Sequence, residues 1–179
     1  MRRVRDGDVA SLEDLFVRHA AAVYGLCARL TSREAAEDLV QDVFLRVLRY
    51  RESWRGERSF VGWLYRIARN AATDHLARER REKDAAATWE EHAASADEAD
   101  ERSALLEAAL RRLPYEQREI IVLARWHDLP SERIAEILDC TPGAARVRLH
   151  RALSELRDIV LELESQSHGL RGERRTDRC

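Results

Sequence analysis

Apolar residues return every three or four positions through most of this 179-residue chain, and only seven Gly and three Pro interrupt them. An α-helix turns once in 3.6 residues, so that spacing draws an apolar stripe along one side of a helix. Much of the rest is Ala, Leu, Arg and Glu, which lose little freedom on entering a helix. An all-α fold is expected, and the question becomes how the helices are divided.

The first stripe runs through Leu12, Leu15, Phe16, Val23, Leu26, Cys27 and Leu30. A new start follows in TSRE, where Thr31 and Glu34 have capping-box spacing. Next, Leu39, Val40, Val43, Phe44, Val47 and Leu48 face one side of a second helix and leave Glu37, Asp38, Gln41, Asp42 and Leu45 near the other. An acidic face bearing a leucine suits either solvent or a basic partner helix. After the arginine-bearing loop YRESWRGERS a third helix begins near Ser59, with Val61, Leu64, Ile67, Ala68 and Ala71 able to turn inward. Trp63, Tyr65 and His75 sit among Arg66, Arg69, Asn70, Thr73, Asp74 and Arg80. Aromatics interleaved with arginine suit single-stranded nucleic acid, which offers a π-face at each base and a charge at each phosphate.

The net charge of −2 conceals a segregation. Residues 1–81 hold 16 basic and 12 acidic groups, residues 82–103 hold 2 and 8, residues 104–161 hold nine of each, and the tail holds four of each. The acidic stretch has little apolar periodicity and reads as a linker. Two small helical domains, 1–81 and 104–161, are therefore expected on either side of a linker at 82–103, with residues 162–179 as a mobile tail.

In the second domain Pro114 is placed in the first turn of a helix whose buried side is Ile120, Ile121, Leu123 and Ala124. Ser131 is a candidate N-cap for a short helix with Ile134, Ala135 and Leu138 inside. Asp139, Cys140 and Thr141 make a turn, and Thr141 can cap a further helix that has Pro142 at its first position. There Ala145, Leu149, Ala152, Leu153 and Leu156 keep the inward rhythm, leaving Arg146, Val147, Arg148, His150 and Arg151 outside. Two short helices around a tight turn, the second studded with arginine, are compatible with bundle packing alone, but the turn, the cap and the outward arginines together favour a helix-turn-helix reader of the DNA major groove. The arginine fork can take both acceptors of a guanine or clamp a phosphate.

The first residues, MRRVRDGD, precede no apolar core, and no window approaches the length of a membrane span, so a cytoplasmic protein is expected. Cys27, Cys140 and Cys179 fit reduced thiols better than a disulfide frame or a zinc site. No metal-ligand spacing, glycine-rich phosphate loop or paired nucleophile and base is present, so neither an enzyme nor a cofactor is expected.

Three stretches, AEDLVQDVFLRVLR at 36–49, FVGWLYRIARNAATDHL at 60–76, and LRRLPYEQREIIVLARWHDLPSERIAEILDCTPGAARVRLHRAL at 110–153, together resemble the extracytoplasmic-function (ECF) sigma factors of the sigma-70 superfamily. The resemblance covers roughly residues 8 to 160. It implies core RNA polymerase as a partner, reached through the clamp helices of its largest subunit by Asp38, Gln41, Asp42 and Leu45, and through the flap of its second-largest subunit. It implies promoter DNA as the second partner. Ile67, Ala68, Asn70 and Asp74, with Trp63 and Arg66 and together with the preceding loop, would form a pocket for a base flipped from the minus-ten element. An amide and a carboxylate one turn apart can read the Watson–Crick edge of such a base. Arg146, Val147, His150 and Arg151 would read the minus-thirty-five element, with Arg148 on phosphate. Ala144 and Val147 replace the Thr and Ser common in the family, which favours a thymine methyl beside Val147. The resemblance further implies that the linker threads toward the polymerase active-site cleft and that an anti-sigma factor restrains the chain. The rival reading is a helix-turn-helix regulator that binds duplex DNA without polymerase. It leaves the acidic face and the Trp63/Tyr65/Asn70 helix without a task.

Overall fold

The helical periodicity is realised in a computed structural model that describes residues 1–56, 59–86 and 101–176, with side chains described at 1–56, 59–82 and 102–166. The elements run α1 (Arg2–Arg5), α2 (Ser11–Leu30), α3 (Arg33–Arg49), a 3-10 turn (Arg51–Ser53), α4 (Phe60–Ala86), α5 (Glu101–Arg112), α6 (Tyr115–Arg125), α7 (Ser131–Leu138) and α8 (Pro142–Thr176). No strand occurs among the described residues.

The helix starts follow local hydrogen-bond chemistry, with shifts of one residue from the sequence expectation. Ser32, rather than Thr31, caps α3: its hydroxyl accepts the Ala35 N–H at 3.1 Å. Thr31 instead donates its hydroxyl back to the Cys27 carbonyl at 2.8 Å, closing the end of α2. Pro114 is the N-cap of α6 and not a first-turn residue, and Ser131 is the first residue of α7 behind an N-cap Pro130, with no side-chain cap. Thr141 caps α8 as expected, accepting the Ala144 N–H at 3.1 Å. Asp139 ends α7 in the left-handed region at φ 52°, which reverses the chain within three residues.

Two groups of helices build the core. In the first half Val23, Leu26, Cys27 and Leu30 of α2 are buried with Ala36, Val43 and Val47 of α3 and Leu64, Ala68, Ala71 and Ala72 of α4. In the second, Ile120, Ile121 and Leu123 of α6 join Ile134 and Ile137 of α7 beneath Ala145, Ala152 and Leu156 of α8. Burying each Leu or Ile side chain contributes about 1.5–3 kcal/mol, so each half carries a substantial core. The halves also meet one another, because α2 lies against α6 and α4 against α7.

Two boundaries differ from the sequence reading. Residues 82–86 continue α4 and residues 101–103 open α5, so the described ends of the expected linker are helical. Residues 87–100, the rest of that linker, lie outside the described residues. At the other end α8 does not stop at 161 but continues to Thr176, through most of the expected tail. The apolar rhythm explains this: Ile159, Val160 and Leu163 still rest against the core, giving the helix a partner beyond Leu156.

Candidate nucleic-acid interface

The polar loop between α3 and α4 folds over the start of α4 and leaves a cavity of about 360 Å³. Its lining is Tyr50, Ser53, Trp54, Arg55, Trp63, Arg66, Ile67 and Asn70. The loop is tied down locally. Arg51 donates to the Leu48 carbonyl at 2.9 Å, and the Ser53 hydroxyl donates to the Tyr50 carbonyl at 2.7 Å. Trp54 is buried, and Phe60 stands edge-on to it at 6.4 Å while also meeting Trp63 at 6.0 Å. The indole N–H of Trp54 has no hydrogen-bond partner within the described chain. Gly56, at φ 77°, makes the sharp bend that brings its backbone over the Trp54 ring, 3.6 Å from where a β-carbon would sit. Aromatic walls, an exposed amide at Asn70 and the arginines Arg55 and Arg66 together suit a planar ring carrying polar edges beside a phosphate.

Of the six residues expected at this site, Trp63, Arg66, Ile67 and Asn70 line the cavity. Ala68 does not. It is fully buried, because its place on α4 faces the core, and its small side chain belongs to helix contact and not to ligand contact. Asp74 lies on the same side of α4, one turn beyond Asn70, but its carboxylate is held by Arg46 of α3 at 2.7 Å, and no part of it lines the cavity. Tyr50, Ser53, Trp54 and Arg55 were not named from the sequence. The resemblance gave the preceding loop a share in the pocket without naming its residues, and the fold shows which of them face α4.

On α3 the expected docking residues share one outward face. Asp38, Gln41 and Leu45 are exposed, Leu45 by 66%. Asp42 is half-buried, because Arg46 one turn later pairs with it at 2.9 Å while also holding Asp74. Arg46 thus joins the acidic face of α3 to the flank of the cavity helix.

In the second half α7, the Asp139 turn and the start of α8 form a helix-turn-helix. Ala145, 1% exposed, allows α8 to cross α7 closely. Arg146, Val147, Arg148, His150 and Arg151 are all exposed, so the five expected reading residues share the solvent side of one helix. Arg146 lies 3.7 Å from Glu132 of α7, which keeps its guanidinium near the N-terminal end of α8.

Comparison with known proteins agrees with this arrangement. Residues 15–82 match Sigma-70 region 2, and residues 103–156 match Sigma-70, region 4. The chain is 42% identical over 171 residues to the RNA polymerase sigma factor CarQ of Myxococcus xanthus, covering 92% of this chain and 97% of that one. It is 32% identical over 178 residues to the ECF RNA polymerase sigma-E factor of Escherichia coli strain K12, covering 91% and 93%. Among solved structures it is similar to the sigma factor RpoE in complex with the anti-sigma factor NepR from Bartonella quintana, with a TM-score of 0.72, 26% identity, and 83% and 95% of the two chains covered. The fold and its two matched regions define a sigma-70 family transcription initiation factor. Within that family the chain belongs to the ECF RNA polymerase sigma factors.

Proposed function

We propose that this sigma factor opens its promoters by capturing one base of the minus-ten element in the cavity between the Tyr50–Arg55 loop and α4. Trp54 and Trp63 supply the walls, Asn70 reads the base edge, and Arg55 and Arg66 hold the adjoining phosphates. Binding an extruded base traps the separated strands, so melting needs no catalytic group. The observation that carries the reading is the cavity itself, walled by aromatics and flanked by an exposed amide and two arginines.

The helix-turn-helix engages the minus-thirty-five element through Arg146, Val147, His150 and Arg151, with Arg148 on the backbone. The α3 face of Asp38, Gln41, Asp42 and Leu45 docks on a basic helix of core polymerase, its acids steering the approach and Leu45 supplying apolar contact. An anti-sigma factor is proposed as the restraining partner. The similarity to an RpoE seen with its anti-sigma factor supports that reading.

The test is transcription in vitro with purified core polymerase on a promoter library. Asn70→Ala should lower strand opening, read as permanganate-reactive thymines, while leaving upstream binding in place. Arg151→Ala should weaken upstream binding, by about 1–3 kcal/mol if it makes a base contact. Opening unchanged in both Asn70→Ala and Trp54→Ala would remove the cavity from the mechanism. Tight, specific duplex binding by the chain alone, with no polymerase-dependent transcript, would favour a plain regulator.

A further inference from the structure

One aromatic at the rim of the cavity has no part in capturing the base. Tyr50 directly follows the last residue of α3 and lines the cavity with Trp54 and Trp63, yet it is 49% exposed where Trp54 is buried. Among the described residues its ring meets no other ring and its hydroxyl makes no hydrogen bond. Its backbone, by contrast, is pinned on both sides. The Tyr50 N–H donates to the Arg46 carbonyl at 2.8 Å, and the Tyr50 carbonyl accepts the Ser53 N–H at 2.9 Å and the Ser53 hydroxyl at 2.7 Å. A tyrosine has only two side-chain torsions to settle, so a ring on a fixed backbone takes a flat partner at small ordering cost.

A half-exposed tyrosine is ordinary on a protein surface, and it is the neighbours of this one that point to a strand. Arg55 and Arg66, the two cations of the cavity lining, are exposed and pair with no carboxylate among the described residues. Arg46 and Arg51, on the same segment as Tyr50, are both paired. Free guanidiniums beside a bare ring are the two components that single-stranded nucleic acid engages, one through its phosphates and the other through its bases. Extruding a base also leaves a bare face on the base next to it, and that lost stacking is part of the cost of flipping. Tyr50 and Trp54 line one cavity, so a strand with one base inside brings a neighbouring base within reach of the Tyr50 ring.

We propose that Tyr50 is a second stacking site for the opened strand, taking the base next to the one captured in the cavity. It restores the stacking that this neighbour loses on extrusion. The site accepts any base, because it meets the π-face and not the edge, and it leaves the choice of sequence to the cavity. This inference rests on the strand-capture reading above and adds a second base to it.

The test uses holoenzyme assembled from core polymerase and the full chain, with a fluorescein-labelled single strand carrying the non-template minus-ten sequence of the strongest library promoter. Fluorescence anisotropy gives the Kd, and an abasic site is moved along the strand one position at a time. The captured base is the position at which the abasic site and Asn70→Ala are not additive. Tyr50→Ala should weaken binding of the intact strand by about five- to thirtyfold, the lower part of the range for one base–aromatic stack. That loss should vanish on the strand that is abasic next to the captured position and persist on every other. Tyr50→Phe should bind as wild type does, since the ring makes the contact. Unchanged binding by Tyr50→Ala, an equal loss on all abasic strands, a Tyr50→Phe as weak as Tyr50→Ala, or coupling to any position other than a neighbour of the captured one would each overturn the stacking site. So would a loss confined to assembly with core polymerase, which would make Tyr50 a polymerase contact. Coupling of Tyr50 to a single position, with Asn70→Ala coupled to none, would instead refute capture in the cavity and leave the stacking site standing.

Discussion

His127 makes the closed arrangement, in which the two halves meet, sensitive to acid. It follows α6, its ring meets Tyr65 edge-on at 5.0 Å, its Nδ1 is bonded to the Tyr65 hydroxyl, and its Nε2 is buried without a partner. In the doubly protonated ring the Nδ1–H can donate to the Tyr65 oxygen, but the Nε2–H has no acceptor among the described residues. Burial first, and then the Arg29 guanidinium, push its pKa from the ordinary 6.5 down to about 4, against a small opposing effect of Asp128. Tyr65 and Arg29 belong to the other half of the molecule, so on opening the imidazole returns toward its ordinary value. Between pH 6.5 and about 4 the open chain therefore binds the proton more readily than the closed one. The stabilisation of the closed form is fully present above pH 6.5, is lost as pH falls through that window, and changes no further below it. At 1.36 kcal/mol per unit the ceiling is about 3 kcal/mol, and the partly exposed ring reduces it to about 1–2 kcal/mol. Glu119 acts in the opposite sense, since burial raises its pKa despite Arg69, and protonation there favours closure. The measurement is therefore a difference: radius of gyration against pH for wild type and His127→Phe, which keeps the ring contact and removes the titration. Wild type should expand more steeply between pH 6.5 and 4.5 than the variant. Coincident profiles would refute the reasoning, because the Tyr65 hydrogen bond that the variant also loses shifts the whole profile and not its slope with pH.

Further outcomes follow from the core and the caps. Leu26→Ala, at a side chain with no exposure, should lower stability by about 3–4 kcal/mol in denaturant unfolding, the usual cost of a buried Leu truncation. Thr141→Ala removes the cap of α8 and should cost about 1 kcal/mol; it should also weaken upstream binding if the start of α8 is what enters the groove. Burial pushes the Cys27 thiol up to about 12, so native alkylation at pH 8 followed by peptide mass mapping should find Cys140 modified before Cys27. Equal labelling of the two would show that the α2 core opens readily.

Much of the second half was legible because its signals are local. The Thr141 cap, the Asp139 turn, the inward Ala145 and the outward arginines sit within 24 residues, and each follows from spacing and capping chemistry. The cavity was half legible. The helical rhythm turned Ile67 and Ala68 inward, and the fold buries both; it was the resemblance that set Ala68 among the base-contacting residues, away from which the core holds it. Asp74 was read correctly as outward, yet its partner Arg46 is 28 residues away, and no helical spacing finds such a pair.

The amino-acid sequence by itself determined the all-α class, the helix-turn-helix and its exposed arginine face, and the acidic face of α3, because these depend on the order of side chains along a single helix. The tertiary structure alone decided which residues of the Trp54 loop line the cavity, that Arg46 links Asp42 to Asp74, and that Glu119 is buried against Arg69. Those contacts join residues from different helices. Their cause is the burial of apolar faces that sets how the helices lie against each other, and that burial is a property of all the stripes together.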